Sequence, residues 1–177
     1  MTPFSALLIG SESLTLRCGQ MALDRGHRIA AVLTDSADVR AWATAQGLRC
    51  DPPAAELAAL RVDWVLSIAH LRLVPPAVLA LAAQGGVNFH DGPLPGYAGL
   101  NAPVWALLNG EQLHGIRWHR MTDRVDDGPV LVAQDFDIAP GETALSLNTR
   151  CFQAGLESFP HVLSLLEQGQ ATGTPQP

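Results

Sequence analysis

The stretch Ala6-Leu7-Leu8-Ile9-Gly10-Ser11-Glu12-Ser13 decides how the rest of this sequence is read. An apolar run stops at a glycine, and two serines follow that can cap an amphipathic stretch reaching Asp24, with Gly26 just beyond as a stop. That is a buried strand feeding a helix. The same order returns at once: Arg28 to Thr34 is β-like, Asp35-Ser36 can cap a helix from Ala37 to Gln46, and Gly47 ends it. Ala54 to Leu60 reads as a short helix and Trp64 to Ile68, introduced by Asp63, as a third strand. Pro75-Pro76 opens a helix running through Ala83, since proline fits the first helical turn, and Gly85-Gly86 closes it before the short strand Val87 to His90.

Beyond that strand lies a rigid Pro/Gly loop, Asp91 to Gly99, and then a helix from Ala102 to Asn109. Two longer β runs, Gly115 to Met121 and Val130 to Ile138, flank the polar segment Thr122 to Gly128 and predict an antiparallel hairpin at a sheet edge. Thr143 to Glu167 is helical, with a kink or break expected at Pro160. Strands alternating with helices imply an α/β fold with a mostly parallel sheet, helices on both faces and right-handed crossovers. The ligand site is then expected at the carboxyl ends of the strands. Residues 1–168 read as one catalytic domain and 169–177 as a linker.

Composition narrows the function classes. In 177 residues, 47% are hydrophobic and 16% charged, enough for one buried core and against disorder. The net charge is -6 and all 11 basic residues are scattered arginines, which argues against a nucleic-acid surface. Cys18, Cys50 and Cys151 lie far apart with no Cys/His cluster, so neither a disulfide framework nor a metal site is expected, and a reducing cytoplasm fits best. The first apolar run is too short for a membrane span.

The chemistry gathers at Val87-Asn88-Phe89-His90. Alternate residues of a strand share a face, so Asn88 and His90 point the same way at its carboxyl end. An Asn amide can donate to a developing oxyanion and a His can exchange a proton near neutral pH, which together suit acyl transfer. The missing charge is sought among the aspartates of Thr122-Asp123-Arg124-Val125-Asp126-Asp127-Gly128. Residue types alone leave a second reading open, because Asn and His also cap loops and Asp-Asp-Gly also makes turns.

Two motifs then carry a resemblance. Asn88-Phe89-His90-Asp91-Gly92-Pro93-Leu94-Pro95-Gly96-Tyr97-Ala98-Gly99 resembles the Asn-x-His loop of 10-formyltetrahydrofolate-dependent formyltransferases, and Gly115 to Leu131 resembles the second signature of the same superfamily. The resemblance implies a Rossmann-like catalytic domain, 10-formyltetrahydrofolate as co-substrate and no metal. Carried over by position, it makes Asn88, His90 and Asp126 the catalytic trio. It also implies that folate is held, largely through main chain, by Leu71, Arg72, Leu73 and Val74 and by Thr122, Asp123 and Val125. His119 matches a further position behind the site.

This sequence departs from the family pattern in two places. Asp91-Gly92 replaces the usual Pro-Ser, putting a carboxylate beside His90 where it could grip a cationic acceptor amine. The turn Ile9 to Ser13 has one glycine and an acid, poor for phosphate, so glycinamide ribonucleotide is disfavoured as acceptor. The expected acceptor is therefore an aminoacyl group on a carrier protein of a peptide or polyketide assembly line, with no nucleic acid and no membrane as partner. A free-standing sugar-amine or amino-acid enzyme, a formyltetrahydrofolate hydrolase and a non-catalytic scaffold are the alternatives.

Overall fold

In a computed structural model that describes residues 2–177, the first strand is fixed by the groups at its two ends. Six strands form one sheet in the order β2-β1-β3-β4-β5-β6. By internal contacts the chain divides into two compact units between Asn88 and Phe89, a boundary that falls within β4.

The first unit holds β1 (Ser5–Ile9), α1 (Ser13–Asp24), β2 (Arg28–Leu33), α2 (Ala37–Ala45), α3 (Ala54–Ala59), β3 (Trp64–Ser67), α4 (Pro76–Leu79) and the start of β4 (Gly86–His90). The neighbouring pairs β1–β2, β1–β3 and β3–β4 are all parallel. Asp63 explains where β1 begins: its carboxylate accepts from both the backbone N–H and the hydroxyl of Ser5, at 2.7 and 2.8 Å. The β1 exit is equally constrained. A side chain at Gly10 would collide with the carbonyl of Ile68, to which Thr15 donates at 2.7 Å, so the turn read as decisive requires its glycine. Leu7, Ile9, Ala31, Val62, Val65 and Leu81 form one core cluster of this unit.

The second unit holds the end of β4, α5 (Ala102–Leu108), β5 (Leu113–Arg120), β6 (Val130–Asp137) and α6 (Ala144–Glu167). β5 and β6 pair antiparallel from Leu113↔Asp137 to His119↔Val130, with a bulge between Trp118 and His119. Bulges re-aim side chains, and here Trp118 and His119 are buried in succession where a regular strand would alternate. Trp118 packs on Phe89 and Phe159, each with ring centroids 5.1 Å away, and its indole N–H donates to Ser158 at 2.9 Å.

The α/β class, the parallel strands and the edge hairpin match the sequence reading, while two element boundaries differ. The helix expected from Pro75 through Ala83 is a single turn, Pro76–Leu79, because the chain leaves it to bridge in parallel from Ala82 to Val62. α6 runs unbroken through Pro160. That residue is exposed while Phe159, Val162 and Leu163 beside it are buried, so the donor that proline lacks falls on the water side and burial of the other face holds the helix together. Residues 169–177, read as a linker, make specific bonds: Val130 and Thr174 exchange two backbone hydrogen bonds of 2.8 Å, and Ala171 is buried.

Candidate active site

Asn88 and His90 occupy alternate positions of β4, and Asn88 is in register with Ser67 of β3. Within the second unit His90 is drawn into a buried cluster. Its Nε2 lies 2.6 Å from the carbonyl oxygen of Tyr97, and its Nδ1 lies 3.5 Å from Oδ2 of Asp126. The other carboxylate oxygen, Oδ1, is 3.4 Å from Nε2 of His119, whose Nδ1 is 2.8 Å from the carbonyl oxygen of Arg120. The three side chains are 6%, 12% and 3% exposed in the order His90, Asp126, His119. A carboxylate thus sits between two imidazoles, and each ring is anchored on its far side by a main-chain carbonyl.

Carbonyls only accept, so the nitrogens facing Tyr97 and Arg120 carry hydrogens in any state that makes those bonds. A second N–H, offered to Asp126, exists only in the imidazolium form. Burial opposes ionisation of Asp126, but the His119 hydrogen bond, the His90 charge and the Gly99 amide, which donates to Oδ2 at 2.9 Å, together hold its carboxyl below the ordinary value. The cluster is therefore built to keep one negative charge in a nearly dry place.

The local chain explains the placement. Asp126 adopts a left-handed backbone, φ 51°, a conformation that Asp tolerates better than most residues. Two residues on, a side chain at Gly128 would run into the Arg120 carbonyl, so the Asp-Asp-Gly run is a turn and a carboxylate mount together. At Gly92 a Cβ would stand 2.6 Å from that of Ala102 and 3.1 Å from Nε2 of His90. The crowding at Gly92 therefore comes chiefly from Ala102, with the imidazole edge and Tyr97 next.

Asp91 has its carboxyl pushed above the ordinary range by burial, with the His90 charge pulling the other way. Its carbonyl is bound at 2.8 Å by Nε2 of His114, a fully buried residue of β5 whose own proton affinity is lowered chiefly by burial. Sequence reasoning passed over His114, Tyr97 and Gly99. The Pro/Gly loop reads as rigid, but nothing in its residue types signals that its main chain binds His90 and Asp126.

The residues read as folate contacts are placed as follows. Leu71 and Leu73 are exposed, and Val74 is half-buried against the core of the first unit. Arg72 is committed to Asp35, Nη2 to Oδ2 at 2.7 Å, and Asp35 also accepts a close hydrogen bond from Ser11. Thr122 uses its hydroxyl to clip the backbone of Arg124 at 3.2 Å, while Asp123 and Val125 are exposed. Among the described residues no group of three or more His, Cys, Asp or Glu is arranged to hold a metal ion, and no helix is long and apolar enough to cross a membrane.

Comparison with known proteins gives the family and the fold. Residues 17–163 match the family described as Formyl transferase. A methionyl-tRNA formyltransferase of Synechococcus sp. (strain JA-3-3Ab) is 34% identical over 146 residues, 82% of this chain and 45% of that protein. The crystal structure of glycinamide ribonucleotide transformylase 1 from Symbiobacterium toebii superposes with a TM-score of 0.81 at 25% identity, covering 94% of this chain and 89% of that one. A sugar 3N-formyl transferase crystallised with dTDP and 5-N-formyl-THF shares the fold, with a TM-score of 0.84 at 16% identity over 100% of this chain and 67% of that one. The chain spans 45%, 61% and 41% of the length of three curated relatives it matches.

Proposed function

This chain belongs to the formyl transferase family, and from that premise we propose that it moves a formyl group from 10-formyltetrahydrofolate to an amine, with Asn88, His90 and Asp126 as its catalytic residues. The observation that carries the reading is Asp126 held between His90 and His119 with its charge favoured despite burial. In the proposed reaction the amine nitrogen bonds to the formyl carbon, and the carbonyl oxygen takes up the displaced electron pair. That oxyanion meets the Asn88 amide and the positive charge of His90. Collapse breaks the bond from carbon to N10 of the folate; the charged His90 gives its Nε2 proton, turned from the Tyr97 carbonyl, to the departing nitrogen, and the proton lost by the amine then restores the imidazolium. Asp126 keeps His90 oriented and stabilises its charged form. Folate contacts are assigned to Leu71, Arg72, Leu73 and Val74 and to Thr122, Asp123 and Val125. Residues 1–168 are taken as the catalytic domain, working in the cytoplasm.

For the acceptor, the net charge of -6, the acid at Glu12 and the carboxylate of Asp91 support an uncharged or cationic amine over a phosphorylated one. We take it to be an aminoacyl group on a carrier protein. A sugar amine is the second reading, supported by 34% identity over 107 residues to a GDP-perosamine N-formyltransferase of Brucella melitensis. The test is release of tetrahydrofolate from 10-formyltetrahydrofolate, with and without free amino acids, their pantetheine thioesters and nucleotide-linked amino sugars. Turnover that depends on an amine establishes the transferase and names its acceptor. Formate release without amine makes it a hydrolase, and neither turnover nor folate binding makes it a scaffold.

A further inference from the structure

We propose that Gln176, in the stretch after α6, is a positioning residue that clamps the turn carrying Asp126, an inference that rests on the catalytic reading of that carboxylate. Its side-chain Nε2 donates to the carbonyl oxygens of both Asp126 and Gly128, at 2.7 and 2.8 Å. One amide thus spans the turn from the residue with φ 51° to the glycine packed on the Arg120 carbonyl. Because both partners are acceptors, the amide has one workable orientation, which leaves Oε1 buried without a hydrogen-bond partner. An unpaired buried acceptor is unfavourable, so the two donor bonds must outweigh it for the side chain to remain there.

The main chain delivers Gln176 to this position by separate means. Thr174, two residues earlier, closes an antiparallel bridge with Val130, the first residue of β6, and Ala171 is buried. Between them Gly173 has φ 72°, and a Cβ there would come within 2.9 Å of the Val130 carbonyl oxygen. Only glycine permits so close an approach in that conformation. The last stretch of the chain is therefore held to the same hairpin whose connection carries Asp126.

The consequence is a clamp behind the carboxylate and a set of partners in front of it. The groups that face Asp126 are His90 from β4, His119 from β5 and the Gly99 amide from the loop, with the charge of Asp91 acting against it. At 3.4 and 3.5 Å the imidazole contacts are long and sensitive to small displacements. Releasing the turn loosens those contacts, so the carboxyl drifts back toward its ordinary proton affinity.

The experiment is the titration of the Asp126 carboxyl by carbon NMR on protein labelled at aspartate Cγ, assigned by loss of the signal in Asp126→Asn. Gln176→Met keeps the length and apolar stem but has no donor. It is expected to titrate at higher pH than wild type and to lower kcat in the tetrahydrofolate-release assay by roughly tenfold, with KM for 10-formyltetrahydrofolate little changed. Gln176→Glu, which sets oxygens against two carbonyls, is expected to shift further. If Gln176→Met folds poorly, Gln176→Asn, a methylene too short to span both carbonyls, is expected to shift less in the same direction. A titration curve and kcat equal to wild type in these variants overturn the clamp. Wild-type turnover in Asp126→Asn overturns the catalytic reading instead, while the titration still reports whether Gln176 holds the turn.

Discussion

Charged side chains meet in both units, but under opposite conditions. In the first, Arg72 and Asp35 pair at 2.7 Å while 75% and 59% exposed. In the second, Asp126 faces two imidazoles at 3.4 and 3.5 Å while 12% exposed. The shorter contact is the weaker determinant, because water screens an exposed pair and rewards separation nearly as well as contact. The longer contacts lie where a charge without partners would be expensive, so removing one partner there leaves a penalty that cannot be relieved by hydration. Distance ranks these two sites in one order and burial ranks them in the other.

Five variants sharpen or break that contrast. The largest effect is expected from His90→Ala, with formyl transfer falling about 10²–10⁴-fold, and from Asn88→Ala, about 10²–10³-fold, each with the fold retained by circular dichroism. A near wild-type rate in His90→Ala would detach the buried cluster from the chemistry, and one in Asn88→Ala would remove its amide from the oxyanion role. Next comes Gly128→Ala, which forces a methyl group onto the Arg120 carbonyl and should lower stability by about 1–3 kcal/mol in urea unfolding. A neutral outcome would mean that the Asp126 turn is slacker than its bonds suggest.

The two buried aspartates should respond to pH with opposite signs. Asp126 has its folded pKa below the unfolded one, so it adds stability that is full above the unfolded value, about 3.9, and is lost as pH falls through the folded value. Asp91 has its folded pKa above the unfolded one, so ionisation subtracts stability as pH rises through that window. Asp91→Asn should therefore raise the unfolding midpoint at neutral pH, with no gain at pH well below 4, and a loss at neutral pH would show that its charge is satisfied after all. The smallest effect is expected from Arg72→Ala, which should leave the unfolding midpoint unchanged because its pair is exposed. If Arg72 also contacts the folate, KM for 10-formyltetrahydrofolate rises while kcat holds.

The same contrast separates what could be read from the sequence from what could not. Strand and helix order was legible because an apolar run ends at Gly10 and amphipathic stretches stop at Gly26, Gly47 and Gly85, and alternation within β4 put Asn88 and His90 on one face. Pro160 misled because the sequence shows the missing donor but not which side of α6 meets water. His114 was not legible, since an imidazole in an apolar strand gives no sign that its partner is the Asp91 carbonyl. Gln176 was hidden further, in a Thr-Gly-Thr-Pro-Gln-Pro stretch whose composition is that of a linker. Main-chain acceptors carry no signature in residue type, and both of these side chains are defined by the carbonyls they bind.

The most direct test compares wild type with Asp126→Asn in the release of tetrahydrofolate from 10-formyltetrahydrofolate, each with the amine panel present. The account predicts amine-dependent turnover in the wild type and a loss of about 100-fold or more in the variant, which keeps the shape of the carboxylate but not its charge. Equal turnover in the two proteins would contradict it.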